Sequence, residues 1–475
     1  MVMVIVMLLL SLPASADRPN VLLIMVDDLR PALGCYGDEI AVTPNMDALA
    51  AEGAVFKRNY CNVPVCGASR ASMFTGLRPN RTRFRLWNAR IDTDAPEAVT
   101  IASHFSANGY QTISLGKTLH SPDDRPKDWT EQPWRPDYST PDTQVTWRDY
   151  QTEANLKIAD SHNDGAGPSH EAADVPDNGY RDGVIAEVAI EKLKTLSKSE
   201  KPFLLTVGFI KPHLPFNAPK KYWDRFSSEQ FALPSNYVHP KDAPLASLHN
   251  FSELRDYTDI PDEGPVPDEL AIKLMHGYYA CTHYIDVQIG RVLDELKRQN
   301  LDDNTIIVLC GDHGWTLGEH RLWCKHANYK TALQTPMIVR IPGQQKGVRV
   351  DELTELIDVF PTLCEATGIE IPQQIEGNSV IPLIENLATT DWKKSVFSRF
   401  YAGETVTTDD FAFTRYVNKD NNTYATMLYD HRVDPDENEN VVAEMTYQDA
   451  IEDLGARLDS VEPASQQQPE KVATP

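Results

Sequence analysis

The sequence predicts an α/β protein with a doubly wound sheet, and three features of the chain lead to that prediction. Continuous apolar runs of strand length occur at Asn20 to Val26, Phe203 to Phe209 and Thr305 to Cys310. Such runs suit strands that are buried on both faces of a largely parallel sheet. Strand, loop and helix signals alternate through about residue 370. Polar residues follow several of the strands directly, as they do in open α/β sheets.

Helix and strand signals place further elements between these runs. Thr43 fits an N-cap, Pro44 a first helical turn and Gly53 a helix end, which predicts one helix across that stretch. The other predicted helices are Ile101 to Asn108, Arg181 to Leu196, Glu269 to Asn300 and Asp358 to Thr367. The other predicted strands are Ala54 to Tyr60, Tyr110 to Leu115, Thr335 to Ile341 and Glu352 to Ile357. Residues 121–180 and 217–268 are rich in loop signals, and we expect them to shape binding specificity.

The character of the chain changes near residue 390. Short strands are predicted at Ser395 to Ala402, Asp410 to Asn418 and Thr423 to Leu428, followed by a helix within Val441 to Val461. These elements predict a smaller α+β subdomain at residues 386–461, packed on a larger α/β domain at residues 17–385. Residues 462–475 are rich in Gln, Pro and Ser and are predicted to be disordered.

The composition argues against one broad class of function. The chain has 475 residues, with 45 Lys and Arg against 69 Asp and Glu, and hence a net charge of −24. Nucleic-acid binding needs a basic surface for phosphate contacts, so we expect no nucleic-acid partner. An anionic ligand would need a local cluster of cations within this negative field.

The first 16 residues, MVMVIVMLLLSLPASA, resemble a secretory signal peptide that ends in an A-x-A cleavage site. Their apolar run is too short for an ordinary membrane span. The segment predicts a secreted or periplasmic protein, lysosomal in a eukaryote, without a membrane span after cleavage. An uncleaved N-terminal anchor is the alternative. Seven cysteines in a chain of this length do not indicate a disulfide scaffold.

The stretch from Val63 to Thr82 carries the most informative cysteine. Cys66 lies at or just before the start of a predicted short helix, and two cations, Arg70 and Arg78, follow it. Helix N-termini favour anions and lower thiol pKa values, so this position suits a reactive cysteine. From the residues alone, a buried or disulfide-bonded cysteine is the alternative.

Acidic and basic side chains follow the predicted strands at their C-terminal ends. Asp27 and Asp28 come directly after the first strand, and Asp312 follows the strand that ends at Cys310. Three carboxylates brought together at one sheet edge suit a hard cation, Ca²⁺ or Mg²⁺, better than zinc. Basic residues that lie just past other strand ends are Lys117, His120 and His213, for which a surface or structural role is the alternative.

Seven blocks of the sequence together resemble the type I sulfatases, a formylglycine-dependent family of the alkaline-phosphatase-like superfamily. The blocks are NVLLIMVDDLRPALGCYGD, TPNMDALAAEG, CGASRASMFTGLRP, GYQTISLGKTLH, GFIKPHLPF, GDHGWTLGEHRLWCKHANYKTALQTPMIV and LYDHRVDPDENENV. They spread from residue 20 to about residue 441, and they look closest to the iduronate-2-sulfatase-like branch. The resemblance implies sulfate-ester hydrolysis on an alkaline-phosphatase-like fold. That fold is a doubly wound mixed sheet flanked by helices, with a smaller C-terminal α+β subdomain.

The resemblance also implies a role for each matched residue. Cys66 would be converted to formylglycine by a formylglycine-generating or an anaerobic sulfatase-maturating enzyme. The implied ligands of Ca²⁺, with Mg²⁺ as the alternative metal, are Asp27, Asp28, Asp312 and the modified residue 66. His313 is either a further ligand or a contact to the formylglycine or sulfate. The remaining implied roles are Arg70 holding the formylglycine hydroxyl, Lys117 and Lys325 gripping sulfate oxygens, His120 as the base that releases sulfate, and His213 with Lys325 as the acid at the leaving oxygen.

In the mechanism that the resemblance implies, a hydroxyl of the hydrated aldehyde attacks the sulfur of a sulfate ester, and His120 later helps to expel sulfate from the sulfated enzyme. The expected substrate is a sulfated, uronate-containing polysaccharide or oligosaccharide. Ala68 and Arg321 depart from the family pattern, since many sulfatases carry Pro and Gly at these places. Two alternatives stay open: a phosphodiesterase or phosphonate hydrolase of the same superfamily, and a non-catalytic protein that binds sulfated glycans.

Overall fold

The computed structural model describes residues 18–136, 148–162, 165–385 and 391–461. Its strands are β1 Asn20–Val26, β2 Ala54–Tyr60, β3 Gln111–Gly116, β4 His170–Ala173, β5 Phe203–Phe209, β6 Phe216–Pro219, β7 Thr305–Gly311, β8 Thr316–Leu317, β9 Trp323–Cys324, β10 Met337–Arg340, β11 Val348–Glu355, β12 Val396–Phe400, β13 Gly403–Thr407, β14 Phe411–Val417 and β15 Thr423–Asp430. Its α-helices are α1 Pro44–Glu52, α2 Cys66–Thr75, α3 Ile91–Asp94, α4 Ile101–Ala107, α5 Glu153–Asp160, α6 Arg181–Leu196, α7 Lys220–Trp223, α8 Ser252–Arg255, α9 Asp268–Arg298, α10 Lys330–Leu333, α11 Val359–Thr367, α12 Ile381–Ile384 and α13 Gln448–Val461.

A mixed sheet of seven of these strands, in the order β11-β2-β10-β7-β1-β5-β3, forms the centre of the protein. β1 pairs in parallel with β7 on one side and with β5 on the other, and β5 pairs in parallel with β3. β10 runs antiparallel to both β2 and β7. The register of β1 and β7 ends at the pair Val26 and Gly311. The residues that follow these two strands therefore emerge side by side at one edge of the sheet.

Both faces of this sheet are covered by helices. Alternate residues of a strand point to opposite faces, so each strand contributes side chains to two core layers. In β1, Leu22 and Ile24 belong to one core layer, into which α1, α6 and α9 also pack. Val21 and Leu23 belong to the other layer, which contains residues of α2, α4 and α11. The uninterrupted apolar run Val21 to Val26 in β1 thus follows from burial on both sides.

A second, smaller sheet lies near the C-terminus, with four antiparallel strands in the order β12-β13-β14-β15. Leu454 and Leu458 of α13 pack against it beside Val406. The small sheet is joined to the large domain by backbone contact, since Arg399 N donates to Asn62 O at 2.8 Å. The predicted fold class, a doubly wound mixed sheet with a smaller C-terminal α+β unit, is confirmed.

Most predicted elements lie where the sequence places them, and the differences have physical reasons. The strand predicted from Glu352 begins at Val348, because the alternation Val-Arg-Val in β11 gives no continuous apolar run. Strand β13 is not predicted, since Gly-Glu-Thr-Val-Thr has only one apolar side chain. The long region 121–180, predicted as loops, contains α5 and β4.

Other predictions concern the chain termini, the membrane and the cysteines. The predicted signal peptide at residues 1–16 and the predicted disordered tail at 462–475 lie outside the described residues. The domain boundary predicted between residues 385 and 386 stays a prediction. Among the described helices, none combines the length and the apolar character that a bilayer crossing requires. All seven cysteines are buried free thiols.

Candidate active site

Four parallel strands deliver polar side chains to the same edge of the sheet. Asp27 and Asp28 follow β1, and Asp312 follows β7. The backbone N–H of Asp312 donates to Val26 O at 3.3 Å, which extends the pairing of the two strands by one residue. Lys117 follows β3, and His213 lies four residues past the end of β5. The sheet topology therefore explains why residues from distant parts of the sequence meet.

Asp28 is held in an uncommon backbone conformation by its neighbours. Its φ is 61°, in the left-handed region that Asp tolerates better than most residues. Its N–H donates to Oδ1 of Asp312 at 3.1 Å, and its carbonyl accepts from the Tyr278 hydroxyl at 2.8 Å. These two contacts fix the turn that aims the Asp28 carboxylate into the site.

Cys66 begins helix α2, whose residues are all buried. Gly67 comes next, and a Cβ there would lie 1.9 Å from the Trp87 carbonyl oxygen, so only glycine permits this close approach. Burial raises the pKa of the Cys66 thiol and Asp27 adds to the effect, while Lys117 and Lys325 oppose it. The thiol therefore stays protonated near neutral pH, and in this form it is a weak nucleophile.

Arg70 lies one turn further along α2 and is fully buried. Its Nε donates to Asp312 Oδ2 at 2.9 Å, and its Nη2 donates to Asp27 Oδ1 at 3.1 Å. Its Nη1 donates to the carbonyls of Lys117 and Thr118. One guanidinium thus joins the ends of β1, β7 and β3, and uses donors in the planar arrangement that favours carboxylate pairing.

Two lysines reach the carboxylates from different sides. Lys117 Nζ pairs with Asp27 Oδ2, and Lys325 Nζ lies 3.0 and 3.2 Å from the two oxygens of Asp28. Burial alone raises the pKa of Asp27, but the charges of Lys117 and Arg70 hold that pKa well below its usual range. Burial likewise lowers the pKa of Lys325, yet Asp28 raises it well above the ordinary lysine value. Burial lowers the pKa of Lys117 as well, but Asp27 raises it above the ordinary lysine value, so both lysines are charged.

A group of potential metal ligands lies at the centre of these charges. Asp27, Asp28, Cys66 and His313 each offer one atom, and these atoms lie within 4.8 Å of one another. His313 Nε2 is 3.4 Å from both Cys66 Sγ and Asp28 Oδ1. Asp312 adjoins this group, with Oδ1 at 3.6 Å from His313 Nε2. A set rich in carboxylate oxygens, fully buried, fits a hard divalent cation such as Ca²⁺ or Mg²⁺.

His213 and Glu253 line the same site next to Lys325. His213 Nδ1 lies 2.6 Å from its neighbour's carbonyl, Leu214 O, and therefore carries a proton. Its Nε2 lies 3.1 Å from Glu253 Oε1 and 3.9 Å from Asp28 Oδ2. Burial lowers the pKa of His213, but the charge of Asp28 overcomes this and raises the pKa to about 10.

His120 lies at the margin of the site, beside an exposed tryptophan. Burial, followed by the charge of Lys117, lowers the pKa of His120 to about 3, so its imidazole is neutral and can accept a proton. The ring centroids of His120 and Trp87 are 5.8 Å apart. Trp87 is 61% exposed, which is unusual for so large an apolar side chain.

The side chains predicted to bind the metal or sulfate or to transfer protons lie at this edge of the sheet, whereas Arg78, the second cation that follows Cys66, pairs with Glu355 instead. The side chains predicted to bind the metal and sulfate contact one another directly. His120 lies close enough to Lys117 for that charge to lower its pKa. Two further residues of the site, Glu253 and Trp87, carry no signal in the sequence. Both lie in loop regions without periodicity, where nothing local shows that the chain returns to the strand ends.

The sulfatase family matches residues 19–369 of the chain, which include all the strand-end residues described above. The chain belongs to the sulfatase family. A second family, described as N-sulphoglucosamine sulphohydrolase, C-terminal, matches residues 318–464 of this sulfatase. The protein is accordingly a sulfuric ester hydrolase.

Proteins with related sequences are sulfatases as well. The iduronate 2-sulfatases of Mus musculus and Homo sapiens are each 33% identical to this sulfatase over 398 residues, which is 76% of this chain and 70% of the relative. The choline-sulfatase of Rhizobium meliloti (strain 1021) is 30% identical over 399 residues, 79% of this chain and 73% of the relative.

Solved structures share the fold of this sulfatase at lower identity. A protein solved in complex with its substrate D-glucosamine-2-N,6-O-disulfate has a TM-score of 0.73 and 23% identity, covering 96% of this chain and 100% of the other. The phosphonate monoester hydrolase from Silicibacter pomeroyi has a TM-score of 0.74 and 22% identity, covering 93% of this chain and 94% of the other. At these identities the likeness concerns the fold alone.

Proposed function

We propose that this sulfatase removes sulfate from a sulfated, uronate-containing polysaccharide or oligosaccharide, using a formylglycine formed from Cys66 and a calcium ion. The observation that carries the proposal is the convergence of three carboxylates, three cations and the buried Cys66 at one edge of the sheet. Lys117 and Lys325 would bind the sulfate group, and the carboxylates would bind the metal. Residue 66 would supply the nucleophile, whose hydroxyl Arg70 would hold.

The metal and the modified residue fit the side chains that would hold them. Asp27, Asp28, Asp312 and residue 66 are the proposed ligands, with His313 as a further ligand or a contact to sulfate. When bound, a divalent cation supplies Lewis-acid stabilisation of sulfate oxygens. A hydrated formylglycine supplies a hydroxyl nucleophile, which the protonated thiol of Cys66 does not.

The cations of the chain have separate tasks in this proposal. Arg70, held by Asp27 and Asp312, fixes the ligands and faces residue 66 from the same helix. Lys117 and Lys325 are the charged groups that can stabilise negative charge on the sulfate oxygens as it develops. Lys325 is buried and the side chain of Lys117 is only 12% exposed, and water screens a charge much less there than at the surface.

Proton transfer is assigned to two histidines of opposite protonation state. Neutral His120 can accept a proton at the stage where sulfate is released. His213, protonated on both ring nitrogens, can donate a proton to the leaving alcohol oxygen, and Lys325 beside it can do the same. Histidines whose pKa values are moved apart by their surroundings suit this division between base and acid.

We propose the substrate from the names of the relatives and from the exposed tryptophan at the margin of the site. The name iduronate 2-sulfatase, carried by the relatives at 33% identity, points to sulfate on a uronate. The exposed indole of Trp87 offers an apolar face on which a sugar ring can pack. Conversion of Cys66 requires a formylglycine-generating or an anaerobic sulfatase-maturating enzyme. We further propose that residues 1–16 direct the protein to a secretory route.

The proposal is tested with protein matured in a host that has a formylglycine-generating system. Sulfate and phosphate release are measured from matched sulfated and phosphorylated uronate oligosaccharides, with Cys66→Ala as the control. We expect calcium-dependent sulfate release, much slower phosphate release and no turnover by Cys66→Ala. Preferred turnover of the phosphate ester would favour the phosphodiesterase alternative. Glycan binding without turnover by converted enzyme would favour the non-catalytic one.

A further inference from the structure

Glu253 is a site residue whose role neither the sequence nor the family match assigns. It lies in the four-residue helix α8, within a long loop region above the strand ends. Phe251 and Leu254, on either side of it, are buried in the main core. The guanidinium of Arg255 packs over the Phe251 ring at 4.2 Å. Glu253 is therefore presented to the site by an anchored segment of chain.

One oxygen of Glu253 contacts both groups that can protonate a leaving oxygen. Oε1 accepts from Lys325 Nζ at 2.7 Å and lies 3.1 Å from His213 Nε2. The proton on His213 Nδ1 is committed to the Leu214 carbonyl, so Nε2 is the nitrogen that turns towards Glu253. A single carboxylate oxygen thus brings the two donors together.

Glu253 becomes more important when Asp28 binds a metal. Among the described residues, the carboxylates that contact Lys325 are Asp28 and Glu253. A carboxylate that coordinates a divalent cation shares its negative charge with that cation and attracts a lysine less strongly. Glu253 is outside the group of four potential ligands around Cys66, although it forms a second group of three with Asp28 and His213. With the ion held by the group of four, the charge of Glu253 remains available to Lys325.

We propose that Glu253 is a positioning residue that holds Lys325 and His213 side by side as proton donors at the leaving alcohol oxygen. This inference rests on the proposed function. When the bond between sulfur and the sugar oxygen breaks, its electron pair stays on that oxygen, which takes a proton from Lys325 or His213. Glu253 itself neither gains nor loses a proton. It sets where the two donors lie relative to each other and to the leaving oxygen.

The test combines Glu253 variants with Lys325→Ala in the full-length, calcium-loaded enzyme of known formylglycine content. We expect Glu253→Gln to lower kcat about 10- to 100-fold with little change in KM, since general acid catalysis contributes about 10²- to 10⁴-fold and only its positioning is lost. Glu253→Asp should recover part of this activity. In a Lys325→Ala background, Glu253→Gln should lower kcat at most about threefold, because the main partner of Glu253 is already absent.

The leaving group gives a second readout that a merely structural role would not change. Glu253→Gln should lower turnover of phenyl sulfate more than that of 4-nitrophenyl sulfate, because the nitrophenolate leaves with less need of a proton. Asp256→Asn, an exposed carboxylate at the end of the same helix, is the matched control and should behave as wild type.

Three results would overturn the inference while leaving the sulfatase assignment intact: wild-type kinetics in Glu253→Gln, an equal loss with both aryl sulfates, or an undiminished loss in the Lys325→Ala background. A converted wild-type enzyme that releases no sulfate would instead contradict the proposed function, and the role of Glu253 would fall with it.

Discussion

Two buried groups of charged residues in this sulfatase have similar compositions but differ in how their charged groups are arranged. The first, the active-site cluster, contains the carboxylates Asp27, Asp28 and Asp312 with the cations Arg70, Lys117 and Lys325. The second, the anchor cluster, contains the carboxylates Glu355 and Asp358 with the cations Arg78 and Lys393. Burial of ion pairs alone therefore does not identify a catalytic site.

The two carboxylates of the anchor cluster find their partners within the protein. Glu355 Oε1 accepts from Asn62 Nδ2 and from the N–H of Phe397, and its Oε2 pairs with Arg78 and Lys393. Burial raises the pKa of Glu355, but the charges of Arg78 and Lys393 overcome this and lower the pKa to about 2. This cluster joins the end of β11 to the segment before β12, and so holds the small sheet against the large domain.

In the active-site cluster, by contrast, the charged groups point towards one common position. Its carboxylates converge with Cys66 and His313 closely enough to share one cation, and its lysines reach in from the rim. Within the described part of the chain, the residue groups that could hold a metal all include Asp28, and none includes a member of the anchor cluster. The difference teaches that convergence on a shared point, rather than burial or pairing, marks the site.

The largest expected effect comes from breaking the anchor cluster. Lys393→Ala leaves two buried carboxylates with only Arg78 as a cation, and we expect it to lower the free energy of unfolding by about 4 kcal/mol. Denaturant titration measures this. The exposed neighbour Lys394 provides the control, since Lys394→Ala should change stability by less than about 0.5 kcal/mol. Because the substitution does not touch the site, kcat per folded molecule should remain that of wild type. A large fall in kcat without unfolding would erase the distinction between the clusters.

The next effect concerns catalysis. Lys117→Ala should lower kcat/KM for a sulfate ester by about 10²- to 10³-fold, the usual loss when one transition-state charge stabiliser is removed. Its effect on unfolding should be smaller than that of Lys393→Ala, because Asp27 keeps Arg70 as a partner. Steady-state kinetics and denaturant titration on the same preparation check both expectations, with Lys127→Ala as the exposed control. A variant that unfolds readily yet keeps its activity would contradict this assignment.

Sequence patterns predict the fold and most of the site because both depend on local signals at strand ends. The apolar run Asn20 to Val26 is observed as β1 with the predicted bounds, and the acidic pair that follows it needs only the sheet edge to meet Asp312. By contrast, Glu253 reaches the site through an irregular loop, and its partners Lys325 and His213 are distant in sequence. Long-range loop packing has no local pattern, so its contribution to the site becomes visible only in three dimensions.

The effect of calcium on stability should depend on the active-site cluster and not on the anchor cluster. We expect calcium at about 100 times its dissociation constant to raise the free energy of unfolding by about 2.7 kcal/mol in wild type. The same gain should be seen in Lys393→Ala, whose site is intact, and should be lost in Asp27→Asn, which removes a proposed ligand charge. Denaturant titrations with and without chelator measure these differences. A calcium effect that disappears in Lys393→Ala instead would place the ion at the anchor cluster.

The smallest expected effect lies at the rim of the active-site cluster. Trp87→Ala should raise KM for a sulfated oligosaccharide about tenfold and leave KM for a small aryl sulfate almost unchanged, because only the larger substrate reaches the indole. Tyr424 is a similarly exposed aromatic residue on the small sheet, and Tyr424→Ala is the matched control. Equal changes in KM for both substrates would show that Trp87 does not contact the sugar.

The central claim, that the site works through a modified Cys66, is tested most directly by mass spectrometry of the tryptic peptide Asn59 to Arg70 together with sulfate release from the same samples. This peptide contains both Cys61 and Cys66, so it carries an internal control. The account predicts formylglycine at residue 66 and an unchanged Cys61, with turnover proportional to the converted fraction across preparations. Equal turnover from preparations in which residue 66 is still cysteine would contradict it.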